Sequence, residues 1–222
     1  MIPKKHLLGP TFYAVSAVIL FSTGGLAIKW LPLAALPIAG WRALVAAGFI
    51  GFYLARRTGK SFFPRISRVG IAAAAGYLLM TVSYVSSMKL TTAANAIFLQ
   101  YTMPAWVMIG GAIWLRESIT MGRILAIAIS FTGMFLFFLD ELSPQQWLGN
   151  ILALLSGLGY AIVALTLRKD RDQNPAGAVF WGNAMTALFM IPIGMVLYPE
   201  SWALLMEWPS LIALLWLGIF QI

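Results

Sequence analysis

The feature that most constrains this chain is a series of long apolar runs that follow one another almost without interruption. A helix crosses the hydrocarbon core of a bilayer with about 20 mostly apolar residues, so each run is long enough to span a membrane. Seven runs are complete, and an eighth begins near Pro209. The seven cover residues 9–29, 36–55, 69–88, 92–115, 121–139, 148–167 and 176–198. The sequence therefore predicts an all-α, polytopic bundle of transmembrane helices.

The composition excludes an ordinary soluble domain. Hydrophobic residues make up 61% of the 222 residues and charged residues only 10%, whereas about a quarter of a soluble domain is charged. The net charge of +8 does not indicate a nucleic-acid partner, because the basic residues sit in short clusters between the apolar runs. Such clusters are typical of loops that lie beside anionic lipid headgroups. The bilayer itself is the expected partner of this surface.

The basic residues also predict an orientation. Alternate loops differ sharply in lysine and arginine, and the richer side is expected to be cytoplasmic. The poorer side carries Lys29 and Lys89 alone. The richer side carries twelve: Lys4, Lys5, Arg56, Arg57, Lys60, Arg65, Arg68, Arg116, Arg123, Arg168, Lys169 and Arg171. This asymmetry predicts a multi-pass protein with its N-terminus in the cytoplasm.

The sequence offers no set of residues for catalysis. It has no cysteine and one histidine, His6, which excludes disulfides, cysteine nucleophiles and thiolate metal sites. No paired carboxylates occur within a span, and no glycine-rich phosphate loop is present. Asp140 with Glu141 is the one acidic pair that an interfacial enzyme might have used, and a solvated outer loop explains it more simply. We therefore predict neither enzymatic activity nor a metal or cofactor.

Polar groups inside the apolar runs are the candidate functional residues. A lipid-facing guanidinium at Arg42 would cost roughly 2.5 to 3.5 kcal/mol, so this side chain should either point into the bundle or extend to the membrane interface. Inside the bundle it would bind a substrate carboxylate or phosphate, or brace backbone carbonyls. Pro104 lies in the fourth run and leaves the carbonyl of Gln100 without its helical donor. Substrate-binding candidates beside Arg42 are Tyr84, Asn95, Gln100, Tyr101 and Pro104, although a kink for packing alone would explain the last four.

Charged residues at the ends of the runs are candidates for gating. Lys29 and Lys89 would either extend to the interface or form a positive mouth that selects anionic solutes, with Lys89 contacting the substrate. Glu117 follows Arg116 at the other membrane face and is expected to act as a structural latch with a basic neighbour.

Stripes of small residues should mark the faces on which helices meet, because close backbone approach replaces the hydrophobic effect in lipid. The predicted stripes are Ala43, Ala47 and Gly51; Gly70, Ala72, Ala74 and Gly76; and Ala153, Gly157 and Ala161.

The stretch TTAANAIFLQYTMPAWVMIGGAIWLRESIT at 91–120 resembles the signature of the EamA-like family of the drug/metabolite transporter superfamily. It has a small-residue start, a central proline at Pro104, an apolar run, and Arg116 with Glu117 at its end. The segments STGGLAIKW at 22–30 and GWRALVA around Arg42 are also similar to that family. The resemblance implies ten spans in two inverted five-helix repeats. Residues 1–139 would form the first repeat, and 140–222 the second, truncated within its third helix.

The resemblance further implies a secondary transporter that moves amino acids or other small metabolites across the plasma (inner) membrane of a prokaryote by alternating access. The apolar run that begins at Pro209 stops at Ile222, so we expect a longer gene that encodes two more spans. The first span lacks the acidic residue with which the short multidrug branch exchanges protons. The cationic residues Arg42, Lys29 and Lys89 favour a substrate with a carboxylate. A non-transporting membrane scaffold or subunit is the alternative, and a homodimer is compatible with either function.

Overall fold

The computed structural model describes residues 8–59, 62–138, 146–169 and 175–221. Helices and short connections account for these residues, and no strand occurs among them. The helices in these ranges are α1 (Leu8–Trp30), α2 (Ala35–Thr58), α3 (Arg68–Leu90), α4 (Ala93–Gln100), α5 (Met103–Trp114), α6 (Met121–Phe138), α7 (Trp147–Lys169), α8 (Pro175–Leu197), α9 (Ser201–Leu205) and α10 (Trp208–Phe220). The predicted all-α class is confirmed.

Helix bounds follow the apolar runs to within three residues, because the charged and turn-forming residues that interrupt the runs also end the helices. Five segments are long and apolar enough to cross a membrane: Ala35–Arg57, Arg68–Leu90, Ala93–Trp114, Trp147–Lys169 and Pro175–Leu197. Three apolar segments are shorter: Val15–Trp30, Met121–Leu136 and Trp208–Phe220. The total of seven complete spans therefore stays a prediction.

The fourth predicted span is a broken helix. α4 ends at Gln100, a turn at Tyr101 and Thr102 follows, and α5 begins at Met103. Pro104 thus occupies the first turn of α5 and not a helix interior. The first turn tolerates proline because its backbone nitrogens have no intrahelical acceptor in any case. The sequence predicted a missing hydrogen bond at this proline. The structure shows in addition that the helix itself is interrupted before it.

The bundle is organised around α3. Its main neighbours are α7 and α8, while α2 packs along α8, α10 packs on α2, and α1 contacts both α3 and α10. The largest buried cluster of apolar side chains lies where α1, α2, α3 and α10 meet, and it includes Ile28, Ile38, Val85, Met88 and Leu217. In contrast, the side chains described on α6 are largely exposed.

The tightest helix contacts are made through glycine. A Cβ atom on Gly159 of α7 would lie 2.8 Å from the carbonyl oxygen of Gly76 on α3. Where α2 crosses α8, a Cβ on Gly40 would lie 2.8 Å from the backbone nitrogen of Ile191, and one on Gly194 would lie 2.8 Å from that of Pro37. Real Cβ atoms are not found this close to backbone atoms. Only glycine therefore permits these two crossings as they stand.

Most of the predicted small-residue stripes do face other helices. All the predicted residues on α2 and α7 are buried. On α3, Gly70, Ala74 and Gly76 are buried. Ala72 is exposed, and its assignment to the α3 stripe was wrong. Ala72 lies about 200° around the helix axis from Gly70 and Ala74, and it lies one turn before Gly76, outside the contact that Gly76 makes with Gly159 and Ile162 of α7.

The basic loops lie at one end of the bundle. The N-terminal part of α7 contacts the end of α3, since a Cβ on Gly149 would meet the backbone of Leu90 and Thr91. The two helices are therefore antiparallel, which brings Arg168 at the end of α7 to the level of Arg68 at the start of α3. Lys29 and Lys89 lie at the opposite end.

Some sequence predictions fall outside the described residues. They are the basic N-terminal residues Lys4 and Lys5, the lone His6, Lys60, the acidic pair Asp140 and Glu141, Arg171, and the repeat boundary at 139 and 140.

The α3–α7 contact generates a first testable prediction. Gly159→Leu should lower the free energy of unfolding by about 1 to 3 kcal/mol or more, because the added side chain has to displace the backbone of Met80 and Gly76. The matched control is Gly133→Leu on α6, where an added Cβ would meet nothing within 4 Å. Thermal unfolding of the purified protein in detergent measures both. Equal midpoints for the two variants would contradict the close α3–α7 crossing.

Candidate functional site

Arg42 is the charged group in the interior of the bundle. It lies two turns into α2 and is 7% exposed. Its Nε–H has no hydrogen-bond partner among the described residues, and no carboxylate of those residues pairs with it. A Cβ on Gly218 of α10 would lie 2.8 Å from the Arg42 carbonyl oxygen, so α10 covers this part of α2 closely. The guanidinium is thus buried with hydrogen-bonding capacity that the described residues leave unused.

The residue before Arg42 contributes a second unused donor. The indole nitrogen of Trp41 is buried and has no partner among the described residues. The indole ring packs edge-on against Trp202 of α9, with 6.3 Å between the ring centroids. The short helix α9 therefore covers Trp41 at the end of the bundle where α8 ends.

The predicted residue Tyr84 lies close to Arg42. Tyr84 of α3 packs against the main apolar cluster together with Trp41. Both Arg42 and Tyr101 are near enough to the Tyr84 hydroxyl to interact with it electrostatically. Tyr101 lies in the turn between α4 and α5 and is 62% exposed. The structure thus brings together three predicted binding residues that come from α2, α3 and the α4–α5 break. Arg42, Tyr84 and Tyr101 together with Trp41 are called the Arg42 cluster.

The other predicted residues of this stretch face α7. The Gln100 amide donates a 2.6 Å hydrogen bond to the Ser156 hydroxyl. The Gln100 carbonyl, which Pro104 leaves without a helical donor, lies against Gly157, where a Cβ would be 2.8 Å away. The Asn95 amide is fully buried and donates to the hydroxyl of Thr91. These groups line a helix interface and are separate from the Arg42 cluster.

Lys29 and Lys89 cross-link the ends of α1 and α3. The Lys29 ammonium donates to the carbonyl oxygen of Thr91 just beyond α3, and the Lys89 ammonium donates to that of Leu31 just beyond α1, each at 2.6 Å. Each cation thus binds an end carbonyl of the other helix, where the macrodipole is negative. The two lysines lie side by side, as a positive mouth requires, but both are bonded to backbone.

Glu117 joins two helix ends at the basic end of the bundle. Its carboxylate lies 3.5 Å from Arg168 and 3.7 Å from Arg123. Beside it, the Lys169 ammonium lies 4.2 Å from the centre of the Trp114 ring. These contacts hold the end of α5 to the end of α7, which is the arrangement that a latch at Glu117 predicts.

Arg116 adopts a backbone conformation that is unusual for its type. Its φ of 56° lies in the left-handed region, which no other non-glycine residue of the described chain occupies. This turn allows the backbone nitrogens of both Leu115 and Glu117 to donate to the Gly111 carbonyl. The Glu117 side chain folds back over Gly111, where a Cβ would lie 3.3 Å from the carboxylate. Arg116 therefore serves the latch through its backbone.

No group of three or more histidine, aspartate or glutamate side chains suited to a metal ion occurs among the described residues. The donors around Arg42 are instead a guanidinium, an indole and phenols. Such groups donate hydrogen bonds to anions or carbonyl oxygens.

Comparison with known proteins identifies the family. The model of the EamA-like transporter family matches residues 9–139, more than half of the chain. This chain belongs to the EamA-like transporter family. The match contains Trp41, Arg42, Tyr84, Tyr101, the α4–α5 break and Glu117, whereas Arg168 of the Glu117 ion pair lies beyond it.

The fold of this EamA-like chain also has a solved counterpart. A crystal structure matches it with a TM-score of 0.65 and 18% identity, covering 92% of this chain and 72% of the other. At this identity the likeness concerns the fold alone. No curated protein matches the chain with significance.

Sequence reasoning missed two polar groups in the interior of this EamA-like bundle. Trp41 was overlooked. Tryptophan is enriched at the membrane–water interfaces, so a tryptophan inside a predicted span was a signal for a role in the interior. Thr81 lies one turn before Tyr84 on α3, is 2% exposed, and its hydroxyl has no partner among the described residues. Single hydroxyls in spans are too common to stand out, so no sequence signal indicated Thr81.

The strained latch generates the second prediction. Arg116→Gly should raise the free energy of unfolding by about 1 kcal/mol, because glycine adopts positive φ without the steric cost that other residues carry. Arg116→Ala is the matched control: it removes the same charge and keeps a Cβ, so it should not stabilise the EamA-like chain. Thermal unfolding in detergent distinguishes the two. Equal stabilisation by both variants would assign the effect to charge and contradict the backbone argument.

Proposed function

We propose that this EamA-like chain acts as a secondary transporter for small metabolites that carry a carboxylate, such as amino acids. The observation that supports this is the buried Arg42, whose Nε–H is unpaired within the described chain and which no carboxylate there neutralises. A guanidinium within a bilayer costs roughly 2.5 to 3.5 kcal/mol on insertion scales. A carboxylate substrate would offset this cost, since its two oxygens match the planar donor fork of arginine.

The neighbours of Arg42 suggest how such a substrate is held. Trp41 offers an indole N–H donor and Tyr84 a phenol hydroxyl. Both side chains are neutral, so neither competes with Arg42 for the charge of the carboxylate. Tyr101 completes the proposed site from the α4–α5 break. Discontinuous helices of this kind lie beside the substrate in many transporters.

Alternating access is the proposed mechanism. At 7% exposure Arg42 is closed to solvent in this conformation, so a substrate enters only when helices move apart. The two ends of the bundle carry separate closures, the Lys29 and Lys89 cross-links at one end and the Glu117 latch at the other. We propose that they open in turn, with the break at Tyr101 and Thr102 absorbing the change in helix direction.

The remaining expectations follow from the family and from the charge distribution. We propose seven complete spans in an inverted-repeat architecture of ten helices, with the basic end facing the cytoplasm of a prokaryote.

Arg42 provides the third prediction. In proteoliposomes, uptake of a panel of radiolabelled amino acids should fall at least about ten-fold in Arg42→Met, because a hydrogen bond to a charged group contributes about 1.5 to 3 kcal/mol. Arg42→Lys should retain part of the activity, since it keeps the charge and loses the two-point geometry. Arg57→Gln is the control, as this exposed arginine bonds to Tyr53 of its own helix.

A stability measurement on the same variants separates binding from bracing. Replacing an unpaired buried charge with an apolar side chain is neutral or stabilising, so Arg42→Met should not lower the midpoint of thermal unfolding. A clear loss of stability would instead show that Arg42 braces the bundle. Absence of flux for every amino acid in the wild-type protein would favour the non-transporting scaffold.

A further inference from the structure

A groove separate from the Arg42 cluster lies between α2 and α8, with a volume of about 580 Å³. Its lining is entirely apolar and comes from α2, α8 and the loop that joins α2 to α3. It extends along α8 from Phe180 to Pro192, which at 1.5 Å per residue is about 18 Å. Half of the hydrocarbon core is about 15 Å thick, so the groove, which is centred on the middle of α8, reaches past the bilayer midplane and is long enough for one extended acyl chain that enters from the basic side.

The floor of the groove is open because of a glycine. A Cβ on Gly48 of α2 would meet nothing within 4 Å, so here glycine leaves empty space, in contrast to the glycines at the tight helix crossings. The outer wall is aromatic: Phe62 and Phe63 pack edge-on against Phe180, with centroids 5.8 and 6.0 Å apart. A 2.8 Å hydrogen bond from the Trp181 indole to the Pro64 carbonyl holds the loop in place.

The mouth of the groove is positively charged. Arg65 follows directly after the aromatic wall, and its carbonyl oxygen lies 3.7 Å from a Cβ built on Gly177, one turn before Phe180 on the groove face of α8. Arg56 and Arg68 flank the same loop and are exposed. Ion pairs within the described residues involve Glu117 with Arg123 and Arg168, so none of these three arginines is neutralised there.

We propose that this groove binds one anionic phospholipid from the leaflet on the basic side of the membrane. An acyl chain lies between α2 and α8 over Gly48, and the phosphate is bound by Arg65 with Arg68 beside it. Lysine and arginine near a membrane surface attract anionic headgroups, whereas the groove alone would take any lipid of suitable chain length. Charge at the mouth together with an apolar interior therefore defines the occupant.

Native mass spectrometry of the purified protein, titrated with phosphatidylglycerol or phosphatidylcholine of identical chains, tests this proposal. One phosphatidylglycerol should bind in preference to phosphatidylcholine. Arg65→Gln and Arg68→Gln should each weaken phosphatidylglycerol binding about five-fold, the effect expected of one surface arginine. Gly48→Leu should weaken binding of both lipids by filling the groove.

Two controls match these variants. Arg57→Gln removes the same charge from the same end of the bundle, but this guanidinium bonds to Tyr53, on the side of α2 opposite the groove, and lipid binding should be unchanged. Gly133→Leu adds the same side chain on α6 and should also have no effect. If Gly48→Leu does not fold, the arginine variants still test the headgroup, because both residues are exposed.

Three outcomes would overturn the proposal. Equal binding of the two lipids would assign the groove to ordinary bulk lipid. An equal loss of phosphatidylglycerol binding in Arg57→Gln and Arg65→Gln would show that general surface charge attracts the lipid. A dimer that Gly48→Leu disrupts would show that a second copy of the chain fills the groove.

Discussion

Helices in a bilayer associate only where their backbones come close, because the lipid tails around them are as apolar as leucine. The contact of Gly159 with Gly76 and the contacts of Gly40 and Gly194 with α8 and α2 satisfy this constraint. Each places backbone directly against a neighbouring helix. The arrangement of α2, α3, α7 and α8 depends on these positions, and with it the location of every polar group in the interior.

Close packing has a consequence for charge. The same helices that exclude lipid from their contacts enclose Arg42, Trp41 and Thr81, which retain unused hydrogen-bonding atoms within the described chain. Asn183 and Ser210 also retain one unused oxygen each within the described chain, whereas Gln100 is paired with Ser156 and Lys29 with the Thr91 carbonyl. The contrast distinguishes groups that hold helices together from groups that are available to a ligand. On this basis the Arg42 cluster, and not the α4–α7 interface, is the proposed substrate site.

The sequence predicted the helices well and their contacts only in part. Runs of apolar residues bounded by charges define helices locally, which is why the bounds agree to within three residues. The burial of Arg42 was also predictable, since lipid exposure of a guanidinium is costly. The partners of Gln100 and Lys89 lie on α7 and just beyond α1. They are separated from these two residues by 56 and 58 positions in the sequence. No local pattern encodes such distant neighbours.

Pro104 and Arg116 show the same limit of prediction from local sequence. Pro104 indicated a missing hydrogen bond, but the direction of the freed carbonyl depends on Gly157 of a later helix. The pair Arg116 and Glu117 indicated a latch, while the positive φ of Arg116 became visible only with the turn itself. The expectation of ten helices came from the family resemblance alone.

The central claim is that the interior site beside Arg42 is reached by water from alternate sides of the membrane. The chain contains no cysteine, so Tyr84→Cys creates a single reactive thiol next to Arg42. In sealed vesicles and in inverted vesicles, a membrane-impermeant thiol reagent should label this position, whereas Ile129→Cys, 72% exposed in the middle of the apolar helix α6, should stay unlabelled. Protection of Tyr84→Cys from both sides would contradict the transporter account.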